Sequence, residues 1–117
     1  ISNETASFVL PIGATVNMDG TSCYQSIAAV FLAQVIGIDL TLTQMLTIIL
    51  TSTLSSIGTP GIPGGSIVMV MIVLSSIGIP IESLALIIGI DRPLDMLRTV
   101  TNVTGDTTVA CIVDETI

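Results

Sequence analysis

The sequence predicts an all-α membrane protein built from a broken transmembrane helix, a re-entrant helical hairpin and a final kinked transmembrane helix. Three observations predict it. Half of the 117 residues are hydrophobic and only 9% are charged, whereas soluble domains carry about 25% charged residues. With a mean hydropathy of +0.99, the chain cannot supply the charge a soluble surface needs, so lipid is the expected solvent. Polar or Gly/Pro punctuation also interrupts the apolar stretches too often for whole spans, and four charged residues, Asp91, Asp95, Arg98 and Asp106, gather on one face of the last stretch.

The first element is expected over residues 6–38. An apolar run from Ala6 to Val16 is followed by Asn17-Met18-Asp19-Gly20-Thr21 and then by Ser22 to Ile38. The longer half would be about 25 Å as a helix, short of a hydrocarbon core roughly 30 Å thick. One helix interrupted by an unwound NMDGT fits better than two complete spans. Irregular backbone survives at membrane depth only where protein buries it or where it lines a cavity.

The second element, over 41–77, reads as a hairpin. Asp39, Thr41 and Thr43 offer N-caps for an arm running to about Ile57. Gly58-Thr59-Pro60-Gly61-Ile62-Pro63-Gly64-Gly65-Ser66 then stops any helix. A second arm from Ile67 to Ile77, with Ser66 as its cap, would be only about 17 Å long. Too short to span, the two arms are expected to turn back with their tip inside the membrane.

The last element, over 82–113, follows Gly78-Ile79-Pro80. Asp91 can cap a fresh helix that tolerates Pro93 in its first turn. The pattern predicts a short helix, a kink near Gly89 to Asp91, and then a long helix.

On a helical wheel centred on Asp95, Asn102 and Asp106 lie within about 20°, Thr99 at about +40°, Asp91 at about −40° and Arg98 at about −60°. These residues fill one sector about 100° wide, while Leu94, Met96, Leu97, Val100 and Val103 fall elsewhere. On a soluble helix such a stripe would be a solvated face. In lipid a central charge costs at least about 2.5–3.5 kcal/mol, so this stripe is expected to face a cavity and mark a solute path. Arg98 offers a planar fork matched to a carboxylate; its alternative partner is Asp95, one turn away. Asp95 can accept from an ammonium group, so the pair suits a solute of both signs, such as an acidic amino acid. Asp106 suits Na⁺ or another hard cation.

Asp19, Asp95 and Asp106 against Arg98 leave the region net negative, and an acidic solute adds to that charge. Coupling to about two or three monovalent cations is therefore expected. An unwound Asn17-Met18-Asp19 frees backbone carbonyls for a cation. The carbonyls ending the first hairpin arm, near Ser56, Ile57 and Thr59, suit one too. Gly61, Gly64 and Gly65 let the hairpin backbone approach a ligand closely.

Other functions are excluded. The net charge is −7, and Arg92 and Arg98 are the only basic residues. That leaves no basic patch for nucleic acid or anionic lipid and no Lys/Arg-rich loop to orient the chain. Without histidine, no Ser/His/Asp or Cys/His catalytic set can form, so the chain reads as neither an enzyme nor a carrier of a cofactor. Cys23 and Cys111 stand apart without a CxxC and are read as buried apolar thiols. Gly61 to Ser66 lacks the lysine of a phosphate loop. Asn3-Glu4-Thr5 and Asn102-Val103-Thr104 fit glycosylation sequons, but the second lies on the stripe, where modification is not expected. With no Met at position 1 and no leader-like start, the chain is expected to be a fragment.

The motifs Asn17-Met18-Asp19-Gly20-Thr21, Ser56-Ile57-Gly58-Thr59-Pro60-Gly61-Ile62-Pro63-Gly64, Asp95-Met96-Leu97-Arg98-Thr99 and Asn102-Val103-Thr104-Gly105-Asp106 occur in this order. With them the chain closely resembles the glutamate transporter family, the dicarboxylate/amino acid:cation symporters, over nearly its whole length. The resemblance implies that 6–38 is the family's broken seventh helix, 41–77 its second re-entrant hairpin and 82–113 its eighth helix. Residues 1–117 would be an incomplete C-terminal part of the transport domain, without the serine-rich first hairpin or the scaffold helices. It further implies symport of aspartate or glutamate with Na⁺, or with H⁺, by alternating access. The whole would be a multi-pass protein of the cell membrane, homotrimeric through regions outside this chain.

By the same resemblance, Asp95 would bind the substrate ammonium and Arg98 its side-chain carboxylate. Thr21, Thr99, Asn102 and the hairpin backbone near Ile62 would complete the substrate shell. One sodium site would use Asp106 with the carbonyls of Gly13, Asn17 and Asn102. A second would use the carbonyls of Thr15, Ser56, Ile57 and Thr59, and a third would involve Asn17 and Asp19. Pro60 stands where several relatives carry a small residue, which bears on the stiffness of a gate. The alternative of a different class is an ion channel or pore module with the Gly/Pro hairpin as its filter. A mixed Asp/Arg/Asn/Thr stripe suits a saturable solute site better.

Overall fold

A computed structural model describes residues 1–117. Helix α1 (Asn3–Val16) starts where the Ser2 hydroxyl accepts the Thr5 N–H at 3.2 Å. Pro11 lies inside it and offers no N–H to the Ser7 carbonyl one turn back. Helix α2 (Asp19–Val35) begins after only two intervening residues. The break is thus narrower than the unwound NMDGT expected from the sequence, because Asp19, Gly20 and Thr21 are already helical. An acidic residue in a first turn favours that conformation through the helix dipole.

Helix α3 (Leu42–Ile57) opens on a capping box: Thr41 and Gln44 satisfy each other's backbone N–H groups. Of the caps expected, Thr41 is the one used. The Gln44 amide also donates to the Ile77 carbonyl at 3.1 Å, which fastens the base of the hairpin. Helix α4 (Gly65–Ser76) forms the return arm. Its cap position is Gly64 at φ +78 with no side-chain bond, so Ser66 does not cap the arm as expected. The arms hold 16 and 12 residues, about 24 Å and about 18 Å of helix.

Helices α2 and α4 end alike. Gly37 and Gly78 sit at φ +79 and +76, and the Ile38 and Ile79 N–H groups reach back to Ala33 and Leu74 at 2.9 and 3.0 Å. That is the Schellman geometry, which glycine enters without a Cβ penalty. A 3₁₀ turn (Ile81–Leu84) and α5 (Ala85–Ile88) then lead through Gly89-Ile90 to α6 (Asp91–Thr116). The expected kink is there, but Asp91 is the first helical residue and caps nothing.

Helix α1 lies along α6, while α2 packs on α3, α4 and α6 and so joins the hairpin to the rest. Ala28, Ala29, Leu32 and Ala33 of α2 meet Ile48 of α3 and Val70, Val73 and Leu74 of α4 in one buried cluster. The alanines let the hairpin approach α2 closely, and the fully buried Leu32 fills the space between them. At the far end of α6, Asp114 accepts the Ser2 hydroxyl at 2.8 Å and the Ser2 N–H at 3.2 Å. Hydrogen bonds from the Ser2 hydroxyl and then the Thr5 hydroxyl hold the Asp114 carboxyl below the usual carboxylate range.

The molecule measures 51 × 29 × 16 Å, so its thinnest dimension is little more than one helix of about 10–12 Å diameter. Such a slab cannot bury its apolar residues on both sides. Leu42, Leu46, Ile49, Leu50 and Leu54 of α3 and Leu97 and Val100 of α6 are exposed. Cys23 and Cys111 are exposed as well, which corrects their reading as buried thiols. No helix is long and apolar enough to cross a membrane. The charges Asp91, Arg92, Asp95, Arg98, Asp106, Asp114 and Glu115 all lie on α6, the stripe expected from the sequence among them.

Candidate functional site

The site is built where the α1–α2 break crosses α6. Asn17 and Met18 leave the helical region at φ −97, ψ 68 and φ −109, ψ 58, and Met18 offers no side chain to cap α2. The first N–H groups of a helix need a partner, and Asn102 on α6 supplies it. Its Oδ1 accepts the Gly20 N–H at 2.9 Å while its Nδ2 donates to the Thr21 hydroxyl at 3.1 Å. This approach requires glycine: a Cβ on Gly20 would lie 2.7 Å from the Arg98 carbonyl oxygen.

A similar close fit surrounds Asp106. The Asn17 amide donates to its Oδ1 at 3.1 Å, and a Cβ on Gly13 would stand 2.5 Å from that same oxygen. On the other flank, a Cβ on Gly105 would lie 3.1 Å from Asn17 Nδ2 and 3.5 Å from the Asp19 carboxylate. Gly13, Asn17, Asp19 and Asp106 thus share one junction. No group of three or more Cys, Asp or Glu side chains converges there or elsewhere. A hard cation at this junction would draw on backbone and amide oxygens beside single carboxylates.

The hairpin tip closes over this junction and leaves a cavity of about 400 Å³. Its walls are Ala14, Met18 and Thr21 from the break, Thr59 to Pro63 and Ser66 from the hairpin, and Asp95, Thr99, Asn102, Val103 and Asp106 from α6. The structure therefore brings together Thr21, Thr59, Ile62, Asp95, Thr99, Asn102 and Asp106 of the residues expected from the sequence. Gly13 and Asn17 lie behind Asp106 in an adjoining apolar groove. Asp19 faces a shallow groove with Thr101, Thr104 and Thr108. Thr15 and Ile57 are exposed and line none of these spaces, whereas Ser56 is buried. Of the carbonyls ending α3, that of Ser56 accepts the Thr59 N–H at 3.3 Å, and that of Ser55 accepts the Thr59 hydroxyl at 2.9 Å.

Arg98 does not line the cavity. It is 5% exposed and its Nη2 pairs with Asp91 at 3.0 Å and Asp95 at 3.2 Å. Nη2 also donates to the Ser66 hydroxyl. The guanidinium lies 4.0 Å from the centroid of the Tyr24 ring, within cation–π range. The internal pair with Asp95, considered from the sequence as the alternative to a solute, is present, and Asp91 extends it. Nη1 is buried without any partner.

Sequence reasoning missed Tyr24 and Ser66 as partners of Arg98 and took Asp91 for a cap. The wheel held part of the signal, since Asp91 and Arg98 fall on the same flank of the stripe. The lone tyrosine in a chain with 3% aromatics was a second sign.

The family model described as the sodium:dicarboxylate symporter family matches residues 1–116, and the chain belongs to that family. It is 50% identical over 114 residues to excitatory amino acid transporter 1 of Ambystoma tigrinum, covering 97% of this chain and 21% of that protein. Excitatory amino acid transporter 4 of Mus musculus is 48% identical over 114 residues, covering 97% of this chain and 20% of its own length. Excitatory amino acid transporter 3 of Mus musculus is 49% identical over 106 residues, covering 91% and 20%. The chain thus spans about a fifth of the length of these relatives. The family and these relatives are transporters, not enzymes.

Proposed function

We propose that the chain is the incomplete C-terminal part of the transport domain of a membrane symporter. The whole protein would carry an acidic amino acid together with Na⁺ by alternating access. The observation that carries this reading is the buried guanidinium of Arg98, whose Nη1 has no partner, behind a cavity with Asp95 in its wall. A buried donor left unpaired costs about 1–3 kcal/mol, and a substrate carboxylate is the acceptor that removes the cost. Asp95 then takes the substrate ammonium, while Thr21, Thr99, Asn102 and the hairpin backbone at Ile62 fix the remaining polar groups.

The charge balance calls for cations. Asp19, Asp91, Asp95 and Asp106 face a single Arg98, and an acidic substrate adds negative charge in a region of low dielectric. Asp106 with the carbonyls of Gly13, Asn17 and Asn102 is assigned one Na⁺. A second is assigned to the carbonyls of Thr15, Ser56, Ile57 and Thr59, which requires the exposed Thr15 and Ile57 to be enclosed. Asn17 and Asp19 contribute to a third, with ligands from elements outside this chain. In this reading the hairpin over 41–77 is the lid, and α1 with α2 makes one crossing in two halves. The protein is multi-pass in the cell membrane and trimeric through regions outside this chain. A pore would need rings of one ligand type, whereas this cavity mixes carboxylate, amide, hydroxyl and backbone.

Calorimetric titration of aspartate into the full-length protein tests the reading. Binding is expected in NaCl and absent in choline chloride, with Arg98→Ala weakening it about tenfold or more. Equal binding in both salts would contradict it.

A further inference from the structure

Arg98 Nη2 has two hydrogens but faces three oxygens: Asp91 Oδ1, Asp95 Oδ1 and the Ser66 hydroxyl. The two carboxylates on its own helix would suffice to occupy it. The third acceptor comes from the hairpin. Ser66 sits in the first turn of α4, is 4% exposed and lines the cavity. Its bond to Arg98 is the one side-chain hydrogen bond between the hairpin and α6, since Gln44, Ser52 and the other polar residues of the hairpin bond within it or to α2.

We propose that Ser66 is a positioning residue for Arg98, tying the guanidinium to the hairpin so that closing the hairpin and presenting the arginine are one event. The proposal rests on the reading of Arg98 as the group that receives the substrate carboxylate. With α4 in place, Ser66 gives the guanidinium a fixed point outside its own helix and leaves Nη1 as its free nitrogen. When the arm moves away, Asp91 and Asp95 hold Nη2 from α6 and the Tyr24 ring of α2 covers the guanidinium face, so the fork loses its one hydrogen bond to another helix. A carboxylate recognised by a planar fork needs that fork held still.

The test is Na⁺-driven uptake of labelled aspartate by the full-length protein in liposomes. Ser66→Ala is expected to raise the KM for aspartate about three- to tenfold, the range for the loss of an ordinary net hydrogen bond. Its kcat is expected to change less than about twofold. Ser66→Thr keeps the hydroxyl and is expected to retain the original KM. Where Ser66→Ala yields no folded protein, Ser66→Val is read against Ser66→Thr, which has nearly the same shape but carries the hydroxyl. An unchanged KM in Ser66→Ala would overturn the proposal, as would Ser66→Thr being as impaired as the variant without a hydroxyl. Absence of Na⁺-dependent uptake by the unsubstituted protein would instead overturn the transport reading.

Discussion

The side-chain amide of Asn102 works in two directions, receiving the Gly20 N–H and donating to the Thr21 hydroxyl. Replacing it by alanine leaves both groups unpaired inside the junction of α2 and α6. Asn102→Ala is expected to destabilise the full-length protein by about 1–3 kcal/mol, read from denaturant unfolding. Asn102→Asp keeps the acceptor for Gly20 and should fall between the alanine variant and the unsubstituted protein. Gly13→Ala places a methyl against Asp106, whose Oδ1 would lie 2.5 Å away. Overpacking of this kind costs about 1–3 kcal/mol and pushes the carboxylate off its present position. The Na⁺ concentration needed for half-maximal uptake should rise, and an unchanged value would remove Gly13 from the cation site. At this scale the sequence made Asp95, Thr99, Asn102 and Asp106 legible, because a period of 3.6 sets them on one face. It could not show that Arg98 lies behind the cavity wall, since Tyr24 and Ser66 reach it from other helices.

At the scale of elements, the hairpin was legible from its Gly/Pro tip and the caps of its first arm. The extent of the α1–α2 break was not. Polarity marked Asn17 to Thr21 as unusual, but the contact of Asn102 from α6 adds to Asp19 in supporting Gly20 and Thr21 as helix. Likewise Ser66 looked like a cap in sequence and is used on Arg98 instead. Gln44 serves both the capping box and the Ile77 carbonyl, so Gln44→Ala should loosen the hairpin base by about 1–2 kcal/mol. Faster hydrogen exchange near residues 41–45 and 77–79 would register this, with the tip unaffected. At the other end of the fold, the lowered pKa of Asp114 has a definite sign. Its contribution to the α1–α6 junction is present above the unfolded carboxylate value of about 3.9 and lost as pH falls through the lower folded value. Asp114→Asn should flatten that part of the acid unfolding profile, and an unaltered profile would dismiss the contact.

The whole molecule is a thin slab with many exposed apolar residues, and no helix is long and apolar enough to cross a membrane. Composition foretold the excess of apolar surface. It could not tell what covers each of these apolar faces; the relatives are about five times as long as this chain. The isolated chain is therefore expected to need detergent to stay dispersed and, in the reading proposed above, to show no measurable aspartate binding, because elements outside this chain would complete the site. The central claim is that the chain helps to carry an acidic amino acid with Na⁺. The most direct test is uptake of labelled aspartate into liposomes containing the full-length protein, with and without an inward Na⁺ gradient. Saturable uptake that requires Na⁺ and is lost in Asp95→Ala and Arg98→Ala is the predicted result; uptake that proceeds equally without any cation gradient, or survives both substitutions, would contradict it.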